Sequence, residues 1–177
     1  MEAAKYSAVE RLRNGRRVDI RALRPEHRAD LVAAVERSSD RSLYQRFFYP
    51  KRSFTAKEVT YFVELDFVNH VALVAVMEED GRPGIVGGGR YIIVRPGTGE
   101  LAFAVVDQYQ GQGIGAALMR HLAVIAREAG VRELIADVLS DNISMLRVLA
   151  SSGLPLSTKL EAGVVHVSLK LNVPQTE

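Results

Sequence analysis

The chain's densest cluster of conformationally special residues is Gln110-Gly111-Gln112-Gly113-Ile114-Gly115, set between an apolar alternating run and a long amphipathic one. Glycines at such a strand-to-helix junction leave backbone N–H groups unshielded. The helix start adds the positive end of its dipole. Together these favour a phosphate or pyrophosphate drawn close to the backbone. A GxxxxGK[ST] phosphate loop is excluded, because the segment has no lysine. A dinucleotide fingerprint fits better: Gly111, Gly113 and Ala116 have its relaxed spacing, and Asp137 stands where its ribose-binding acid would. That fingerprint needs a parallel βαβαβ half, however, and the strand before this loop ends a meander with too little chain behind it. A tight turn without a ligand is the remaining account of the three glycines.

A second candidate lies just upstream, in Glu100-Leu101-Ala102-Phe103-Ala104-Val105-Val106. Period-two alternation puts Glu100, Ala102, Ala104 and Val106 on one face, and Leu101, Phe103 and Val105 on the other. The carboxylate then shares its side with two alanines, which leave space for a substrate and a water. Otherwise it is an exposed acid that begins a strand after a glycine turn.

The elements that must position these residues follow from periodicity. Val18, Ile20 and Ala22 read as a first strand closed by Pro25, and a helix follows from Glu26 to Ser38. Arg41 to Phe48 reads as a short helix with Asp40 as its N-cap. Thr55-Ala56-Lys57-Glu58 is a capping box ahead of Val59, Phe62, Val63 and Asp66. Strands are expected over His70–Glu78, Ile85–Val94 and Glu100–Val106, joined by short turns as an antiparallel meander. A helix runs from Ile114 to a stop at Gly130, and a strand follows over Glu133–Leu139. Asp141 and Asn142 cap a helix to Ser152, and Leu156–Leu160 and Val164–Leu171 make a final hairpin. The order implies one α+β domain around a mixed, mostly antiparallel sheet of about seven strands flanked by helices.

Composition narrows the chemistry. The 177 residues suit one domain, and the absence of cysteine removes thiolate nucleophiles, disulfide frameworks and Cys-ligated metals. His27, His70, His121 and His166 lack metal-ligand spacing, so no metal is expected; His121 sits on an apolar helical stripe as a tolerated, partly buried residue. The polar start and the lack of a long apolar segment predict a soluble cytoplasmic protein without a membrane partner. Residues 1–60 carry 14 Lys+Arg against 8 Asp+Glu, with Arg11, Arg13, Arg16, Arg17, Arg21, Arg24 and Arg28 crowded together. Interspersed acids and the lack of interleaved aromatics favour a solvated face over a nucleic-acid site. Gly87-Gly88-Gly89 reads equally as a bulge or a close substrate approach. Tyr44, Phe47, Phe48 and Tyr49 read as helix packing, with an acceptor groove as the other use.

Gln110-x-x-Gly113-x-Gly115 resembles the Q/R-x-x-G-x-G/A acetyl-CoA signature of the GNAT acetyltransferase superfamily, and the order of elements matches that fold from about Arg17 to Leu171. The chain resembles most the GNAT domain of bacterial Pat-like protein lysine acetyltransferases. Ser42-Leu43-Tyr44-Gln45-Arg46-Phe47-Phe48, Ala72-Leu73-Val74-Ala75, Ile85-Val86-Gly87, Val138-Leu139, Asp141-Asn142 and Met145-Leu146 carry that likeness. It implies a GNAT domain over residues 17–171, an extension over 1–16 and a tail over 172–177.

The resemblance also implies roles. Val105, Val106 and Asp107 would meet the pantetheine arm, and Gln110, Gly111, Gln112, Gly113, Ile114, Gly115 and Ala116 would cradle the pyrophosphate. Asn142 would contact the cosubstrate or simply cap its helix. Glu100 matches the family's catalytic glutamate. Acetylating an amine requires removing its proton, and a free lysine ammonium has a pKa of about 10.4, so a base is needed. Leu149 stands where many members carry a tyrosine that protonates the departing thiolate; Tyr109 and Ser144 are nearby in sequence. The expected activity is direct transfer from acetyl-CoA to a primary amine, a protein lysine foremost. Small amines, protein N-termini or non-catalytic acetyl-CoA sensing are the alternatives, and a homodimer is left open.

Overall fold

The computed structural model describes residues 1–171; the tail expected over 172–177 lies outside the described residues. In chain order the elements are β1 (Ser7–Arg11), β2 (Arg17–Ala22), α1 (Arg28–Glu36), α2 (Asp40–Phe47), α3 (Ala56–Val63), β3 (His70–Glu79), β4 (Arg82–Arg95) and β5 (Thr98–Val105). There follow α4 (Ile114–Glu128), β6 (Glu133–Leu139), α5 (Ile143–Ala150), β7 (Leu156–Glu161) and β8 (Val164–Lys170). They build one eight-stranded sheet ordered β1-β2-β3-β4-β5-β6-β8-β7. Among the described residues only β5 and β6 pair in parallel. This is an α+β architecture with a mixed, mostly antiparallel sheet.

β3 is buried at every position from Val71 to Met77, because helices cover both faces of the sheet centre. On one side α4 lays down Ile114, Leu118, Leu122 and Ile125, each nearly or fully buried. Such a side chain contributes about 1.5–3 kcal/mol by leaving water. Helices α1 to α3 cover the other side.

The glycine triplet in β4 lets the strand pass under α4. A Cβ on Gly89 would stand 2.6 Å from Phe103 Cδ1 and 3.0 Å from Leu122 Cδ1, and one on Gly87 would stand 3.1 Å from Ile114. The pairing with β3 also slips between Ala75 and Val76, so the bulge is present too. We expect Gly89→Ala to cost about 1–3 kcal/mol by overpacking. The thermal midpoint then falls by roughly 2–4 °C per kcal/mol. An unchanged midpoint in a melting experiment would mean that Phe103 yields freely.

Several boundaries differ from the sequence expectation. Residues 7–11 form an edge strand against β2, held partly by side chains that no local pattern announces: Tyr6 OH bonds His121 Nδ1, and Glu10 takes His121 Nε2 at 2.7 Å. His121 is thus a tie between β1 and α4 rather than a merely tolerated residue. Ser39, not Asp40, caps α2, accepting from Ser42 N at 3.2 Å. The stretch from Glu26 starts as a 3₁₀ turn at Pro25–His27 before α1 begins. The Thr55/Glu58 capping box forms as expected, whereas Asp66 lies beyond α3 and accepts the N–H groups of Val68, Asn69 and His70.

Candidate active site

β5 and β6 are paired only from Thr98/Glu133 to Glu100/Ile135, and beyond that point they part. Glu133 clamps the closed end. Its carboxylate accepts from Ser168 Oγ and Lys170 Nζ at 2.6 Å each and from Arg95 at 3.2 Å. The Lys170 and Ser168 bonds hold its pKa down at about 2, against a usual value of 4.5. A depressed carboxylate pKa stabilises the fold above the unfolded value, and that gain is lost as pH falls through the folded one. The gap in melting midpoint between the parent and Glu133→Gln should therefore be full at pH 7 and narrow from pH 4.5 towards about 2. A gap independent of pH would count against the charge-based clamp.

The open end of the splay is a groove of about 1500 Å³. One wall is Leu101–Val105, the other Ala136–Val138 with the start of α5, and the glycine loop closes the head. Val106 N donates to Val86 O at 2.9 Å, so even-numbered groups of this stretch face β4 and odd-numbered ones face the gap. Leu101, Phe103 and Val105 thus direct backbone groups into the groove. The Val105 carbonyl accepts Gln110 Nε2 at 3.0 Å, and the same amide reaches Ser42 Oγ at 3.1 Å. Val106 itself turns into the core. Asp107 accepts Ser39 N at 2.8 Å, Ser39 Oγ at 2.7 Å and Ser42 Oγ at 3.1 Å, which fixes the N-terminus of α2 against the end of β5.

Gly111 (φ 76°) and Gly113 (φ 95°) take left-handed conformations that favour glycine, and no atom lies within 4 Å of a Cβ built on either. None of the N–H groups from Gly111 to Ala116 finds a backbone partner among the described residues; the first bond is Ala117 N to Gly113 O at 3.0 Å. The head of the groove therefore presents consecutive free donors at the positive end of a fifteen-residue helix. Gly115 instead serves packing, since its Cβ would meet Val148 at 3.2 Å. Gln112 accepts Asn14 Nδ2 at 3.1 Å, bringing the β1–β2 turn beside the loop, and Arg11 and Arg13 join the groove lining. Part of the arginine excess read as a solvated face thus borders an anion-favouring site. Asn142 caps α5 by accepting Met145 N at 3.2 Å, and it lines the groove too.

Glu100 stands where the strands part, exposed, and its carboxylate has no hydrogen bond or ion pair among the described residues. Ala102, opposite Arg90, and Ala104, opposite Gly88, continue its face as expected from alternation. Two guanidiniums share this side. Arg90 is 9% exposed, lies over the Phe62 ring at 4.5 Å and donates to His70 Nε2 at 2.8 Å. Burial, then the Arg46 charge, pushes its pKa down to about 9. Arg46 is lowered to about 10 by burial, with Glu100 acting in the opposite sense. The sequence reading did not single out either arginine; among 18 arginines, no spacing marks these two.

The other candidates divide between packing and surface. Phe47 is edge-on to Phe54 at 5.3 Å in a cluster with Phe62, whereas Tyr44, Phe48 and Tyr49 are exposed. Leu149 is fully buried. Tyr109 is buried too, and its hydroxyl has no hydrogen-bond partner among the described residues. Ser144 is exposed on the groove rim.

A splayed parallel pair, a glycine loop heading a helix and a carboxylate at the fork define an acyltransferase of GNAT architecture. The model of the acetyltransferase (GNAT) family matches residues 38–154, and the chain belongs to that family. Within it the chain is Pat-like. It is 35% identical over 127 residues to an acetyltransferase of Pseudomonas aeruginosa, covering 71% of this chain and 68% of that one. It is 37% identical over 127 residues to the acetyltransferase Pat of Mycolicibacterium smegmatis, covering 70% of this chain but only 36% of the relative. The crystal structure of the GNAT domain of S. lividans PAT superposes with a TM-score of 0.84 at 34% identity, over 93% of this chain and 97% of that one.

Proposed function

We propose that the protein transfers acetyl from acetyl-CoA directly to a primary amine, with a protein lysine as the principal acceptor. The observation that carries this reading is Glu100, whose exposed carboxylate has no partner among the described residues and stands at the fork where β5 parts from β6, next to the groove wall that begins at Leu101. The N–H groups from Gly111 to Ala116 hold the pyrophosphate, with Gln110 and Gln112 shaping the loop. The odd-numbered backbone groups up to Val105 align the pantetheine arm. Val106, Asp107 and Asn142 keep this wall in place, Asp107 through its bonds to α2 and Asn142 through its cap. Glu100 takes the ammonium proton, directly or through a water. The freed nitrogen lone pair attacks the thioester carbonyl carbon, a C–N bond forms, and the C–S bond breaks with its electron pair left on sulfur. As the amide forms, the nitrogen sheds its second proton to water, and water returns a proton to the thiolate, whose pKa of about 8.5 makes a dedicated acid unnecessary where Leu149 replaces a hydroxyl.

The catalytic unit in this proposal is residues 17–171, with 1–16 as an extension that lays β1 along it and 172–177 as a tail. A cytoplasmic setting belongs to the same proposal. No helix among the described residues is long and apolar enough to cross a membrane. The test is transfer of labelled acetyl across folded proteins, lysine peptides, N-terminal peptides and small amines. Lysine acceptors are expected to be used best. Turnover confined to N-termini or small amines moves the acceptor class, and acetyl-CoA binding without any transfer replaces catalysis by sensing.

A further inference from the structure

The Glu100 side of β5 has more positive charge than its own residues neutralise. Arg90 is buried, and its guanidinium's one hydrogen-bond partner among the described residues, His70, is neutral at pH 7: burial and Arg90 itself push the imidazole down to about 4. Arg46, half-buried in the last turn of α2, lies over the Phe47 ring at 4.7 Å and has no hydrogen bond or ion pair among the described residues. Both arginines line a small, otherwise mostly apolar cavity of about 100 Å³, with Ala102 and Gly88 in its wall, and Arg46 also lines the main groove. Among the described residues, Glu100 is the carboxylate whose charge reaches Arg46, and none reaches Arg90.

Desolvated and unpaired cations are an expensive arrangement, tolerated when a ligand supplies the missing charge. They also repel an incoming ammonium. An acceptor that brings a negative group beside its amine removes both penalties at once. Guanidinium is suited to the task, since its planar fork matches a carboxylate and it sheds water more readily than an ammonium. The small side chains at Ala102 and Gly88 keep the space clear for it.

We propose that Arg46 and Arg90 form a carboxylate-binding subsite for the acceptor, so that the preferred lysine has an acidic side chain next to it. This rests on the reading of the chain as an amine acetyltransferase. The subsite selects acceptors by charge, while Glu100 serves the amine.

The test uses matched lysine peptides with Glu or Gln beside the lysine, and glutamate against its α-amide as a small-molecule arm. The parent should use the Glu peptide at least about tenfold better in kcat/KM, chiefly through KM, because a site built for a charged group rejects the neutral isostere. In Arg46→Met and Arg90→Met the ratio should fall towards one, and Arg46→Lys should restore part of it. Equal use of both peptides by the parent, or an undiminished ratio in both Met variants, overturns the proposal. A charge preference confined to glutamate over its amide overturns the peptide side chain as the source. Binding is read separately from turnover: glutarate should raise the parent's melting midpoint and leave that of folded, acetyl-CoA-binding Arg46→Met unmoved. Absence of transfer to any acceptor would end the acetyltransferase reading, whereas a glutarate shift equal in parent and variant would end the subsite alone.

Discussion

Glu100→Gln should lower kcat by about 10²- to 10⁴-fold at neutral pH, the range lost when a positioned general base is removed. The substitution keeps size and hydrogen-bonding capacity but cannot take a proton. Glu100 stands at the fork of β5 and β6, outside the glycine loop, and its side chain makes no hydrogen bond or ion pair among the described residues, so folding and acetyl-CoA affinity should be retained. The defect should shrink as pH rises, because solvent then deprotonates the amine, whose own pKa is about 10.4. Steady-state kinetics from pH 7 to pH 10 with one lysine acceptor checks both parts. Full activity at pH 7 would remove Glu100 as the base and leave it as an exposed strand residue.

Gly113→Glu should weaken acetyl-CoA binding by roughly 10²-fold or more. Two effects add. The residue sits at φ 95°, so any side chain carries strain, typically about 1–2 kcal/mol for a left-handed residue. The carboxylate also enters the region of free N–H donors where a pyrophosphate would lie, replacing attraction by repulsion at short range. Nothing lies within 4 Å of the Cβ position, so packing alone should not unfold the variant. Gly113→Ala separates the two effects, since it carries the strain without the charge. Calorimetric titration of both folded variants decides the matter. Unchanged affinity in Gly113→Glu would exclude the loop from the binding site.

These two positions were legible because local rules govern them. A glycine run between a strand pattern and a helix pattern announces free donors whatever surrounds it. Alternation alone puts Glu100 beside Ala102 and Ala104. The meander, the long helix and the final hairpin were equally local. β1 pairs locally with β2, but Ser7–Arg11 shows no apolar alternation, and the side chains that tie it down run from Tyr6 and Glu10 to His121 on α4, more than a hundred residues away. The α2 cap moved by one residue because Ser39 also satisfies Asp107, a contact across the fold.

By itself the sequence determined the order of the elements after β1, the loop, the carboxylate and the absence of a thiol, since each depends on residue type and short-range periodicity; the eighth strand, β1, came only with the structure. Only the tertiary structure decided that Glu100 stands at the fork, because the fork exists where β5 and β6 cease to pair. It alone brought Arg46 from a helix and Arg90 from a strand to one face. Charge and burial at that face are properties of chain segments packed together, and no window along the chain contains them.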